Sequence, residues 1–326
     1  DELLDYVGGR KDLRKGIVKT IGKPHERLRE DHLRIIRAVR FAARLRFELE
    51  SNTRQAIQEL APLLLDEPAE RLLQELKIIL TDARPAGALR LMDEVGLLTR
   101  VFPELAETRG CEQPDNYHPE GDVLTHTLLA VEKLGGHPEF ELALATLLHD
   151  IGKPEASRRS GPMQFHEHCR IGERMSERVC HRLRLSNKER DQVCWLVRRH
   201  LYFKDAKNMK DSTLKRLFAQ DGFDQLAELH RADALASWGN LELYNYVLQK
   251  REEMPEETIE PPRLVTGDDL IERGYRPGPA FGEILSRVRE NQLNGHVSTR
   301  EEALDLAEKT AQEIDAPRLE DEESGE

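Results

Sequence analysis

From residue 122 to about residue 252 the chain reads as helix after helix, and six metal-ligating side chains fall inside that stretch: His126, His149, Asp150, His168, His200 and Asp233. No other feature constrains the fold as strongly. Residues so far apart meet only if several helices pack as a bundle and turn these positions inward. The centre of the set is the run Ala145-Thr146-Leu147-Leu148-His149-Asp150-Ile151-Gly152-Lys153. Imidazole and carboxylate suit a first-row divalent ion, and adjacent His and Asp side chains can serve two neighbouring ions. A two-metal centre suits hydrolysis of a phosphate ester, with His149 and Asp150 as its catalytic heart. A lone histidine on an apolar face is ordinarily a packed core residue, so the metal reading rests on the ordered set of six. Ligand type leaves the ion open among Mg2+, Mn2+, Ni2+, Co2+ and Fe2+.

The 326 residues suffice for two or three domains with a sizeable core. With 34% charged and 38% hydrophobic residues, the profile is that of a soluble, helix-rich protein. No apolar run approaches the ~18 residues a membrane helix needs, and no secretory leader opens the chain. Cys111, Cys169, Cys180 and Cys194 show no zinc-type pairing in sequence, which predicts buried free thiols in a reducing cytoplasm. Cys169 adjoins His168 but is set aside in favour of the six ligands. The net charge of −12 argues against a uniformly basic nucleic-acid binder. Residues 1–50 nevertheless hold 13 Lys and Arg against 9 Asp and Glu, a local excess able to hold a phosphate backbone.

The expected fold is mainly α. Residues 1–24 read as a short β remnant, with Leu3–Val7 a strand running into the turn Gly8-Gly9. Residues 25–112 read as a helical domain. Glu30-Asp31 open one helix, whose apolar face carries Leu33, Ile36, Ala43 and Phe47, and further helices follow at 51–61, 68–80 and 84–100, the last ended near Gly96. The polar stretch Arg109–Gly121 links to the ligand-bearing domain, 113–254. Pro255, Pro261 and Pro262 mark a second linker before a small helical tail, 263–315, and an acidic, disordered end, 316–326.

The ligand set over residues 118–237 resembles the HD superfamily of metal-dependent phosphohydrolases, with its order of His, His-Asp, further His and a final Asp. His168 fits through its spacing to Gly172, His166 is expected nearby as an outer or surface residue, and His118 as pocket lining. His25, His32, His137, His181, His230 and His296 lack context and are expected at the surface or in caps.

Upstream, Glu30-Asp31-His32-Leu33-Arg34 resembles the EDxxR motif of class II tRNA nucleotidyltransferases (CCA-adding enzymes) and the related bacterial poly(A) polymerases. Asp5–Gly9 with Asp12-Leu13, Glu70-Arg71 with Glu75, and Thr266–Leu270 through Pro277-Gly278-Pro279 to Gly282 follow in the family's order. The resemblance implies a neck, an HD domain and an RNA-contacting tail, with the tRNA 3′ end, CTP and ATP as partners. It implies nucleotide binding by Asp31, Arg34 and Arg37. Asp31 and Arg34, three apart, are expected on one helix face. There a carboxylate accepts from an exocyclic amine and a guanidinium donates to a ring nitrogen or carbonyl. Arg37 and Arg44 extend the basic face.

The family's polymerising centre needs a Gly-Ser turn and an Asp-x-Asp pair for Mg2+. No Asp-x-Asp precedes residue 30, and the chain opens on Asp1 rather than Met. The expectation is therefore a chain lacking the catalytic head, unable to polymerise alone, with the HD site as an accessory phosphohydrolase. Poly(A) addition, a stand-alone HD phosphohydrolase and a non-catalytic RNA-binding module stay open, as does the oligomeric state.

Overall fold

A computed structural model describes residues 4–114 and 121–318, in which helices predominate. The expectation for His118 and that for the acidic end from residue 319 onward lie outside the described residues. The described chain divides into two compact units: residues up to Phe203 together with Asp224–Tyr244, and Lys204–Phe223 together with Asn245 onward.

The first unit opens on α1 (Gly9–Lys15) rather than on a strand. Residues 4–7 form no β-structure. The Asp5 carboxylate instead accepts from the Gly9 and Arg10 amides at 2.8 and 3.0 Å, satisfying donors that a helix start leaves open. Among the described residues the sheet is a single parallel pair, β1 (Ile17–Val18) against β2 (Glu48–Leu49). α2 (Pro24–Glu30) has Pro24 in its first turn, where a missing N–H costs nothing. α3 (Leu33–Leu45) buries Leu33, Ile35, Ile36, Ala38, Val39 and Ala42. Phe47 lies beyond its end, so the face expected to reach residue 47 is shorter. α4 (Ser51–Leu60), α5 (Ala69–Leu80) and α6 (Pro85–Glu94) follow, and α6 stops just ahead of Gly96, whose φ is +77°, where the sequence places its end.

Five helices then carry the ligands or the turns beside them. They are α7 (Val123–Lys133), α8 (Phe140–Leu148), α9 (Lys153–Ser160), α10 (His168–Arg182) and α11 (Asn187–Arg199). α12 (Phe223–Ala236) brings the sixth ligand. Every residue of α8 except Glu141 is buried, which explains its near-continuous apolar sequence. Asp122 caps α7 by accepting from the Thr125 amide at 2.9 Å and also takes the Gly110 amide at 2.6 Å, tying the linker to the helix start.

The turn between α8 and α9 presses against the start of α10 at Gly152. A Cβ there would lie 2.2 Å from the His168 carbonyl oxygen and 2.7 Å from the Gly172 nitrogen. Glycine at 152 and 172 is thus what lets the His149-Asp150 turn reach His168.

In the second unit, α13 (Gly267–Glu272), α14 (Pro279–Leu293) and α15 (Arg300–Glu313) close around Val265, Leu270, Tyr275, Ile284, Val288 and Ala307. Thr266 and Asp269 form a capping box, with the Thr266 amide donating to Asp269 Oδ2 at 2.7 Å. Gly278 and Pro279 start α14, so the tail motif has a helix-starting role of its own.

Candidate functional site

The six expected ligands converge. His149 and His200 stand at the C-terminal ends of α8 and α11, His168 is the first residue of α10, His126 lies one turn into α7, and Asp233 is on α12. His126 Nε2 is 2.9 Å from Asp233 Oδ1. Asp150 sits between two groups. Its Oδ2 is 3.1 Å from His149 Nε2 and 3.8 Å from His126 Nε2, and its Oδ1 is 3.5 Å from His168 Nε2 and 3.7 Å from His200 Nε2. The donor atoms of His126, His149 and Asp233 lie within 4.8 Å of one another, as do those of His168, Cys169 and His200.

Three imidazoles are oriented in the same way. Nδ1 of His149, His168 and His200 contacts the carbonyl of Thr146, Phe165 and Val197 at 2.7, 2.8 and 2.8 Å. A carbonyl only accepts, so each Nδ1 carries the proton and, in the neutral ring, each Nε2 turns a lone pair inward. The Nε2 atoms of His168 and His200 are 3.2 Å apart, and His149 Nε2 and Asp150 Oδ1 are buried with no hydrogen-bond partner. Facing lone pairs in a buried site repel unless a cation lies between them, so these residues fit divalent metal ions.

The electrostatics agree. Burial pushes His200 down to about 3, with His149 and His168 pushing the same way, and burial also lowers His168, so both are neutral at pH 7. Burial opposes the charge on Asp150 and Asp233, yet both are held well below the usual carboxylate range. His149 and the Lys153 ammonium hold Asp150 there, and the rings of His126 and His149 hold Asp233. Lys153 is a site residue that the sequence reading left without a role. Its buried Nζ is 2.6 Å from Asp150 Oδ2 and 2.5 Å from Gln113 Oε1. The one signal in the sequence is its position three after Asp150.

The neck residues also gather, though not as the helical spacing predicts. Asp31 lies outside both helices, with φ −154° and ψ 103°, closing α2 and accepting the Leu33 amide at 3.2 Å to start α3. Asp31 and Arg34 therefore do not share a helix face. Arg34 Nε is 4.0 Å from Asp31, and its NH1 instead reaches Glu30 at 2.9 Å and the Arg27 carbonyl at 2.8 Å. Arg37 is nearer Asp31, at 3.4 Å, and donates from Nε to Glu75 at 2.6 Å. Arg40, which the sequence reading passed over, holds the other Glu75 oxygen at 2.9 Å. Arg71 stands 3.8 Å from Asp31, while Arg44 turns away to Asp82.

Two family models match the chain: "Probable RNA and SrmB- binding site of polymerase A" at residues 46–108 and "HD domain" at residues 122–238. An A-adding tRNA nucleotidyltransferase from Deinococcus radiodurans is 32% identical over 333 residues, covering 95% of this chain and 75% of that protein. A CC-adding tRNA nucleotidyltransferase from Thermus thermophilus is 35% identical over 310 residues, covering 91% and 70%.

The chain belongs to the tRNA nucleotidyltransferase family.

A crystal structure of a Bacillus stearothermophilus CCA-adding enzyme in complex with CTP shares the fold at 24% identity, with a TM-score of 0.68 over 96% of this chain and 70% of that one. The remaining histidines of the chain are placed mostly as expected. His166, His181 and His296 are exposed, and His25 pairs with Glu59 at 2.7 Å. His230 departs from that pattern. It is half-buried, with its ring 5.0 Å from that of Phe203, because the inner side of α12 also faces the core. All four cysteines are free thiols, and no helix among the described residues is long and apolar enough to cross a membrane.

Proposed function

We propose that this chain acts at the 3′ end of tRNA, with a neck that binds CTP or ATP and RNA and an HD centre that hydrolyses a phosphate ester. Its relatives are named as A-adding and CC-adding enzymes, which supports both nucleotides as ligands of the neck. Asp31, Arg34 and Arg37 are assigned to nucleotide binding, since a carboxylate and guanidinium groups can pair with a base edge. Glu75 fixes the Arg37 guanidinium, which stands 3.4 Å from the Asp31 carboxylate, so the groups assigned to the base edge are held together in the neck.

The convergence of four buried histidines on the buried Asp150, with Asp233 against His126, carries the hydrolytic reading. Divalent ions held by His126, His149, Asp150, His168, His200 and Asp233 would activate water and stabilise the charged phosphate oxygens. The chain's own groups orient the ligands through backbone carbonyls, exclude water by burial, and set a cation, Lys153, against Asp150.

The joint substitution His149→Ala with Asp150→Ala is expected to abolish divalent-metal-dependent hydrolysis of a 2′,3′-cyclic phosphate end while leaving CTP binding to the neck intact. Absence of hydrolysis by the unsubstituted chain with each of Mg2+, Mn2+, Ni2+, Co2+ and Fe2+ would overturn the hydrolytic assignment.

A further inference from the structure

We propose that Cys169 is a metal ligand, so that His168, His200, Asp150 and Cys169 hold one ion in a tetrahedral set of two nitrogens, one oxygen and one thiolate sulfur. This rests on the metal-centre reading above and deepens it by separating the two positions chemically. Metal bonds of about 2.05 Å to nitrogen, about 2.1 Å to oxygen and about 2.3 Å to sulfur, at tetrahedral angles, put ligand atoms at characteristic separations. They are about 3.3–3.4 Å for nitrogen or oxygen pairs and about 3.6 Å for nitrogen to sulfur. His168 Nε2 and His200 Nε2 are 3.2 Å apart. Asp150 Oδ1 is 3.5 and 3.7 Å from the same two nitrogens, and Cys169 Sγ is 3.6 Å from His168 Nε2. The Cys169 sulfur and both nitrogens fall together inside 4.8 Å. Adjacent ligands of an octahedral Mg2+ would sit closer, at about 2.9–3.0 Å.

The other position, built from His126, His149, Asp233 and Asp150 Oδ2, has no sulfur among its donors. A thiolate is soft and favours Zn2+, Co2+ or Fe2+ over Mg2+. The two positions therefore differ in preference, the one that includes Cys169 being the one that retains a borderline-soft ion. On binding, the Cys169 thiol proton leaves to solvent as the sulfur–metal bond forms. Cys180 is buried on the same helix, and Cys194 points its sulfur at the Glu173 carbonyl, 3.8 Å away, so both serve as internal controls.

The test is to strip the full chain with a chelator, reload it with Co2+, and record bound cobalt per chain together with the near-ultraviolet thiolate-to-cobalt charge-transfer band. The expected result is a band in the unsubstituted chain and in Cys180→Ser and Cys194→Ser. The band is lost in Cys169→Ser and Cys169→Ala, which still bind cobalt at the sulfur-free position. Circular dichroism of the two Cys169 variants checks the fold, and the band of the unsubstituted chain already tests the thiolate before any substitution is made. Bound cobalt without a band, or a band that survives both Cys169 substitutions, overturns the thiolate ligand and leaves the metal centre standing. No bound cobalt at all overturns the metal centre itself.

Discussion

His149, His168 and His200 are each held by a contact made within their own segment of chain. Each ring donates Nδ1–H to the carbonyl three residues earlier. At His149 and His200 that carbonyl belongs to the last turn of a helix, where it has no intrahelical donor. One hydrogen bond thus satisfies an open acceptor, fixes the tautomer and aims Nε2 inward. It also places the ligand at the negative end of a helix dipole, which favours a cation. Glu75 plays a comparable part in the neck, where its buried carboxylate divides between Arg37 and Arg40. Glu75→Gln would take the carboxylate from both guanidinium groups, leaving Arg37 the longer contact to Asp31 at 3.4 Å. Because both arginines reach solvent, the loss falls below that of a fully buried pair, at about 2–3 kcal/mol. Urea unfolding should show the lower midpoint, and an unchanged midpoint would mean that the network contributes no stability.

The turn between α8 and α9 works because it lacks a side chain at residue 152. Packing this tight, 2.2 Å from backbone oxygen to a hypothetical Cβ, cannot be relieved by a rotamer change, since both sides are main chain. Gly152→Ala should push α10 away and cost about 3 kcal/mol or more, the upper end for overpacking. Because His168 rides on the first residue of α10, bound metal per chain should fall along with stability. Loss of stability with unaltered metal content would show that the turn supports the fold without positioning the ligand. The neck contrasts with this turn. There Asp31 stands between two helices, closing α2 while its carboxylate captures the Leu33 amide and starts α3.

Within the first unit, α5 of the neck is joined to α11 of the ligand-bearing bundle by the ion pair of Lys77 with Glu189. Glu189 also completes a capping box with Ser186 at the start of α11. Burial opposes its charge, but Lys77 and Ser186 outweigh that and bring Glu189 down to about 2, against 4.5 in a free chain. As pH falls, the unfolded chain takes up this proton first. The stabilisation is therefore whole above pH 4.5 and drains away as pH falls from there toward 2. Glu189→Gln should cost about 1.5–3 kcal/mol at pH 7 and flatten the acid limb of the stability curve in that window. An acid limb identical to that of the unsubstituted chain would remove Glu189 from the account.

Some of this protein is written into the order of its residues. Helical periodicity, caps and prolines mark the helices from 51 to 80 and the tail because those signals act over one or two turns. The six residues read as a candidate metal centre because His, His-Asp, His, His and Asp recur at the ends and inner faces of successive apolar helices. Family membership is readable too, in Glu30–Arg34 and Glu70–Glu75. Other features took form only when helices packed. Where the sequence reads as a strand, residues 4–7 lead instead into a helix start whose open amides the Asp5 carboxylate takes. Lys153 meets Gln113 forty residues away, and Cys169 meets two histidines whose rings are aimed by their own backbones. Short-range hydrogen bonds and residue spacing fix what each segment becomes, whereas the separations of 3.2–3.7 Å that would let four side chains share an ion depend on how closely helices approach, which no spacing along the chain specifies.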